Sequence, residues 1–137
     1  MEHVHPVAQR SLRTPTCLVF RAFAELLWID CLLLRGFSVV YQAVRRFPAR
    51  DLKSTSATGT AICHAVDLAC VFYFKEVLCL QRSAAATRLL RNSGIAAEMV
   101  IGIQPCPFRA HAWVEIAGHV VNDKPYVPER YAVMDRC

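Results

Sequence analysis

An α+β fold, with helices first and an antiparallel sheet after them, follows from three observations. Apolar residues recur at helical spacing from Thr14 to Gly94; beyond Gly94 the pattern changes to short β-rich runs; and those runs are broken by Pro105-Cys106-Pro107 and Ala117-Gly118, which are turn sequences. The 137 residues make one domain by length, enough to bury a core without metal or disulfide staples.

Each element has a local cause. Residues 1–13 lack periodicity and read as a flexible tail in which His3 and His5 are solvated. Thr14-Pro15 supplies a cap and a first-turn proline, and the helix that follows runs to Arg35 and stops at Gly36. Trp28 and Leu32 interrupt its thin polar stripe, so it is expected to be buried on most sides or to dock to another protein. Phe37, Val40, Tyr41 and Val44 mark a second helix ended by Pro48, completing a helical segment over 14–48. Residues 49–60 are polar, rich in Ser and Thr, and read as a linker before a core at 61–137. A third helix carries Ile62, Ala65, Val66, Ala69, Phe72 and Tyr73 and is expected to end near Lys75 or Glu76; His64 and Asp67 on it read as a surface pair. A fourth begins at Cys79 and ends at Gly94, a natural residue for the left-handed helix stop. Met99–Ile103 reads as a buried strand, Ala110–Ile116 and His119–Asp123 as a hairpin, and Tyr131–Met134 as a last strand.

Composition excludes several functions. Hydrophobic residues make up 55% of the chain and mean hydropathy is +0.29, yet the most apolar run, Leu26–Leu34, contains Asp30 and is flanked by Glu25 and Arg35. It falls well short of the roughly 20 residues a membrane span needs, so an apolar surface facing a partner is the better reading. No secretory signal opens the chain, and a cytoplasmic location is expected. Residues 1–53 hold 8 Lys+Arg against 4 Asp+Glu, and residues 54–137 hold 8 against 7. The basic excess is scattered without a nucleic-acid reading motif, so no nucleic-acid partner is expected. Seven cysteines without a C-x-x-C pair suit neither a disulfide framework nor a zinc ribbon; reduced thiols are expected, with Cys31, Cys63 and Cys70 as small buried hydrophobes.

The chemistry lies in Cys79, His111 and Asp123, which stand in the order of a cysteine-nucleophile acyl-transfer site. They are 32 and 12 residues apart, so folding must assemble them. A helix N-terminus favours a thiolate, the reactive species, and the unpaired N–H groups of the same turn can receive an oxyanion. The hairpin register then decides whether Asp123 can orient His111. A two-residue Ala117-Gly118 turn pairs Ala112 with Asp123 and points the carboxylate away; a three-residue Ile116-Ala117-Gly118 loop, with Gly118 at positive φ, pairs His111 with Asp123. The three-residue loop is therefore expected, with Asn122 as the fallback third member if the register shifts by one. Glu115 and His119 read as exposed hairpin residues, Trp113 as core or as a lid on the imidazole, and Arg82 and Arg109 as ion-pairing residues.

Ile62–Cys137 resembles the lasso-peptide biosynthesis B proteins of the microcin-processing type, in their stand-alone protease form. The motifs that carry the resemblance are Cys79-Leu80-x-Arg82-Ser83, Leu89-Leu90 with Gly94, Pro107-Phe108-x-Ala110-His111-Ala112-Trp113-Val114-Glu115, and Val121-Asn122-Asp123. The resemblance implies a transglutaminase-like, papain-related core and a cysteine peptidase that removes the leader peptide from a ribosomally made precursor, with Cys79, His111 and Asp123 as its triad. It implies no cofactor or metal. As partners it implies the precursor (leader) peptide, a separate leader-recognition protein, because no leader-binding module is visible in residues 1–53, and a separate ATP-dependent lasso cyclase that joins the freed α-amine to an acidic side chain. Two other readings fit the same residues: an acyltransferase or transglutaminase with the same triad, and a leader-binding scaffold without catalysis.

Overall fold

The computed structural model describes residues 15–51 and 53–137; the expected tail, its histidines and the Thr14 cap lie outside these. Four helices come first: α1 (Thr16–Leu33), α2 (Phe37–Arg45), α3 (Ser56–Phe72) and α4 (Cys79–Asn92). They are followed by β1 (Ala97–Pro105), β2 (Phe108–Ile116), β3 (His119–Val120), a short helix α5 (Val127–Arg130) and β4 (Ala132–Arg136). The strands form one antiparallel sheet in the order β3-β2-β1-β4, so the fold is α+β.

Strand alternation divides the sheet's two faces. Ala97, Met99, Val114 and Ala112 lie on the side that packs on the helices, and Val100, Trp113 and Tyr131 form a smaller cluster with Val127 on the other. α1 buries one stripe, Ala22, Leu26 and Ile29, at the i, i+4, i+7 spacing of a helix face. This corrects the expectation of burial on most sides: Phe20 is 71% exposed, and Leu27 and Trp28 are partly open. Ala22 and Leu26 belong to the same core as Ile62, Val66, Leu90 and Val114. The N-terminal helices thus share one core with the rest of the chain, and α3 starts at Ser56, inside the stretch 49–60.

α3 starts on a Thr55 side-chain cap, whose hydroxyl accepts from the Thr58 N–H. It stops at Phe72, earlier than expected, because Tyr73 turns extended and packs between Phe23 and Phe74 while its hydroxyl donates to Asp30. Lys75 pairs with the same carboxylate, which fixes the loop leading to Cys79. α4 ends as expected before Gly94, which has a φ of 85° and accompanies the bonds Gly94 N–H to Arg91 O and Ile95 N–H to Leu90 O. Next to that end the Arg91 guanidinium, 9% exposed, donates to three backbone carbonyls: Ala97 (2.7 Å), Val44 (2.7 Å) and Phe47 (3.0 Å). It fastens the end of α2 and the following loop to α4 and β1.

The β2–β3 hairpin corrects the expected register. Ile116 pairs with His119 and Glu115 with Val120, so Ala117-Gly118 is a plain two-residue turn. Gly118 does take positive φ, 78°, but Ala117 joins it at 49°, and two successive positive φ values make the turn whose twist suits a hairpin. α5 was not anticipated. Of the cysteines expected to be buried, Cys63 is buried, Cys70 half-buried and Cys31 exposed; all the cysteines of the described residues are free. Among the described residues, no helix is long and apolar enough to cross a membrane.

Candidate active site

Cys79 is the first residue of α4 and is half-buried. Leu78, the residue before it, offers no side-chain cap, so the N–H groups of that first turn point outward without an intrahelical partner. α4 runs alongside β2 in the same direction. The Ser83 hydroxyl donates to the Ala112 carbonyl at 3.0 Å, and two turns later Arg91 donates to Ala97, which pairs with Ile116. A helix rises about 1.5 Å per residue and a strand about 3.3 Å, so Cys79, one turn before Ser83, comes level with residues 110–111. Among the described residues its thiol makes no hydrogen bond to the imidazole, whose ring lies with Trp113 and Tyr131 on the sheet face away from the helices.

His111 and Asp123 do meet. His111 Nε2 lies 2.7 Å from Asp123 Oδ2, and both side chains are 22% exposed. They meet in spite of the two-residue turn, because the chain leaves the ladder after Val121. Val121 N–H still donates to the Val114 carbonyl, but the Val114 N–H goes to Oδ1 of Asn122 at 2.7 Å in place of a backbone carbonyl. Asn122, 7% exposed, also donates from Nδ2 to the Ser83 hydroxyl at 3.0 Å, and its own carbonyl accepts from Arg82. Asn122 is thus no fallback partner of the imidazole; it is buried among Ser83 and the β2 backbone.

With Nε2 occupied by the carboxylate, Nδ1 is the ring nitrogen left to exchange a proton with a thiol or a leaving amine. The ring packs on Trp113 at 6.1 Å and Tyr131 at 5.2 Å between centroids. Gly102 makes room for that stack: a Cβ there would come within 2.7 Å of the Trp113 ring and 2.9 Å of Tyr131. Trp113 is fully buried, and its indole N–H donates to Glu115 at 2.8 Å. Glu115, expected to be exposed, is 2% exposed and pairs with Arg136 on β4. Burial pushes the Glu115 carboxyl up, but hydrogen bonds from Arg136 and Trp113 outweigh it and hold the group below its usual range. His119 is exposed as expected, and so is His64. Arg82 pairs with Asp67 at 3.1 Å, so Asp67 serves Arg82, not His64.

The Asp123 carboxyl is likewise pushed up by burial, but the Lys124 backbone N–H and the His111 hydrogen bond and charge bring it below its ordinary 3.8. A group depressed on folding stabilises the fold above its unfolded pKa, and that share is lost as pH falls through the folded one. Asp123→Asn is therefore expected to be less stable than the wild type at about pH 7 and to show a smaller deficit at about pH 2, as urea unfolding at the two pH values would show. An equal deficit at both would mean the carboxylate's charge contributes nothing.

Sequence reasoning paired His111 with Asp123, which the structure brings together, and did not anticipate that Ser83 and Asn122 bond to each other and to β2. The signal was present in the motifs: a serine one helical turn after Cys79, and an asparagine directly before Asp123. No solved structure matches the chain. Over 56 residues it is 41% identical to the microcin J25-processing protein McjB of Escherichia coli, a match covering 41% of this chain and 27% of that protein. The profile of the transglutaminase-like superfamily matches residues 13–136, taking in the N-terminal helices as well as Cys79, His111 and Asp123, and the chain belongs to that superfamily.

Proposed function

We propose that this chain is a cytoplasmic cysteine peptidase that removes the leader from a ribosomally made lasso-peptide precursor. The observation that carries the reading is the 2.7 Å bond between His111 and Asp123 beside the helix that begins at Cys79. The likeness to a microcin-processing protein supplies the substrate class. The Cys79 thiol gives its proton to His111 Nδ1 and attacks the carbonyl carbon at the leader–core junction. The developing oxyanion is received by the open N–H groups of the first turn of α4. His111 then protonates the leaving amine, which frees the core α-amine and leaves a thioester on Cys79. Water, deprotonated by His111, hydrolyses that thioester, releases the leader carboxylate and restores the thiol. Asp123 holds the imidazole through Nε2 in both halves. A separate leader-recognition protein delivers the precursor, and an ATP-dependent cyclase consumes the freed amine.

The test is incubation of the full chain with the precursor encoded beside it, with and without a leader-recognition protein, followed by mass spectrometry. Leader and core together heavier than the precursor by one water, formed faster with the partner, are expected. A conjugate formed without uptake of water would replace hydrolysis by acyl transfer, and full speed without the partner would remove the partner from the reading.

A further inference from the structure

We infer that Asn122 and Ser83 are positioning residues that turn an unfavourable hairpin register into an aligned His111–Asp123 pair; this rests on reading that pair as catalytic. The ladder Ile116↔His119, Glu115↔Val120 and the Val121 N–H bond to Val114 set a count that, continued, puts Asp123 opposite Ala112. Ala112 and His111 face opposite sides of the sheet, so an uninterrupted strand would carry the carboxylate away from the imidazole.

Asn122 interrupts it. Its Oδ1 takes the Val114 N–H that the strand's own carbonyl would otherwise occupy, which satisfies β2 while releasing the backbone beyond Val121 from pairing. Its Nδ2 donates to Ser83, and Ser83 donates to the next outward-facing carbonyl of β2, that of Ala112. Arg82 holds the Asn122 carbonyl from the same helix turn. Asp123 thus leaves the sheet one residue early, already turned toward Nε2. Because Ser83 lies one turn from Cys79 on α4, the same chain of bonds also fixes the thiol's helix to the strand that carries the imidazole. Ser83 is 1% exposed and Asn122 7%, so neither is open to a bound peptide, and their effect passes through Asp123 and α4.

The test uses the full chain and the variants Asn122→Ala, Ser83→Ala and Asp123→Ala, singly and with Asn122→Ala and Asp123→Ala combined. Precursor cleavage by Asn122→Ala should show a kcat lower by about 10²-fold with KM nearly unchanged, the size expected of a misplaced catalytic group. Added to Asp123→Ala it should cause no further loss, because what it aims is already gone. Independently of any substrate, the downfield ring N–H proton resonance of His111 hydrogen-bonded to a carboxylate should be seen in the wild type and lost in Asn122→Ala and Ser83→Ala. Losses that multiply in the double variant, or a resonance that persists in both single variants, would overturn the inference. If Asn122→Ala does not fold, Ser83→Ala, which removes one hydroxyl from a helix, decides by the same readouts. If the resonance responds while the wild type cuts no precursor, the peptidase reading fails and the positioning role stands.

Discussion

Cys79→Ala is expected to abolish precursor cleavage, a loss of about 10⁴-fold or more in kcat, while the protein keeps its unfolding midpoint. The size follows from the role: without sulfur there is no thioester, and what remains is binding and an oxyanion site with no nucleophile in front of it. Stability should survive because Cys79 is half-buried at the start of a helix and makes no side-chain hydrogen bond among the described residues. The other thiols supply controls. Cys63 is buried, and desolvation holds its pKa up at about 11, so Cys63→Ala should leave cleavage near the wild-type rate. Cys106, exposed at the β1–β2 turn, should be equally dispensable. Cleavage by Cys79→Ala at the wild-type rate would remove the nucleophile assignment.

Arg91→Ala should cost about 2 kcal/mol or more of folding stability, since each buried carbonyl left without its donor costs about 1–3 kcal/mol. The guanidinium serves three carbonyls in two stretches of chain, Ala97 on β1 and Val44 and Phe47 around the end of α2, and of these the Val44 carbonyl keeps a second donor in the Phe47 N–H. Against a typical total of about 5–15 kcal/mol, such a loss leaves a marginal protein. Arg91→Lys should recover only part, because an ammonium is a compact donor and cannot span carbonyls that the planar fork reaches together. Urea midpoints of the three proteins measure both effects, and a loss below 1 kcal/mol for the alanine variant would show that water replaces the guanidinium.

Much of this was legible in the sequence because it depends on local periodicity and on residue chemistry. The four helices, the strand after Gly94, the turn at Ala117-Gly118 and the order Cys79, His111, Asp123 are all of that kind. What was not legible depends on partners distant in sequence. Glu115 reads as a surface carboxylate until Arg136 arrives on β4, 21 residues later, to pair with it. Trp28 and Glu25 read as parts of an interrupted polar stripe, whereas Arg88 of α4 pairs with Glu25 and lies over both Trp28 and Phe47. The register failed for a different reason. Alternation along a strand assumes that backbone bonds backbone, and at Val114 a side-chain amide takes the backbone's place.

The shortness of β3 also bears on how the molecule avoids its own kind. A sheet edge with unspent N–H and C=O groups is a template on which another chain can lay a strand. Where β3 stops, the open side of β2 would offer such a template. Asn122 and Ser83 occupy the Val114 N–H and the Ala112 carbonyl with side chains, which cannot be extended into a further strand. That end of the sheet is thereby closed to edge-to-edge self-association, a safeguard against fibrillar growth.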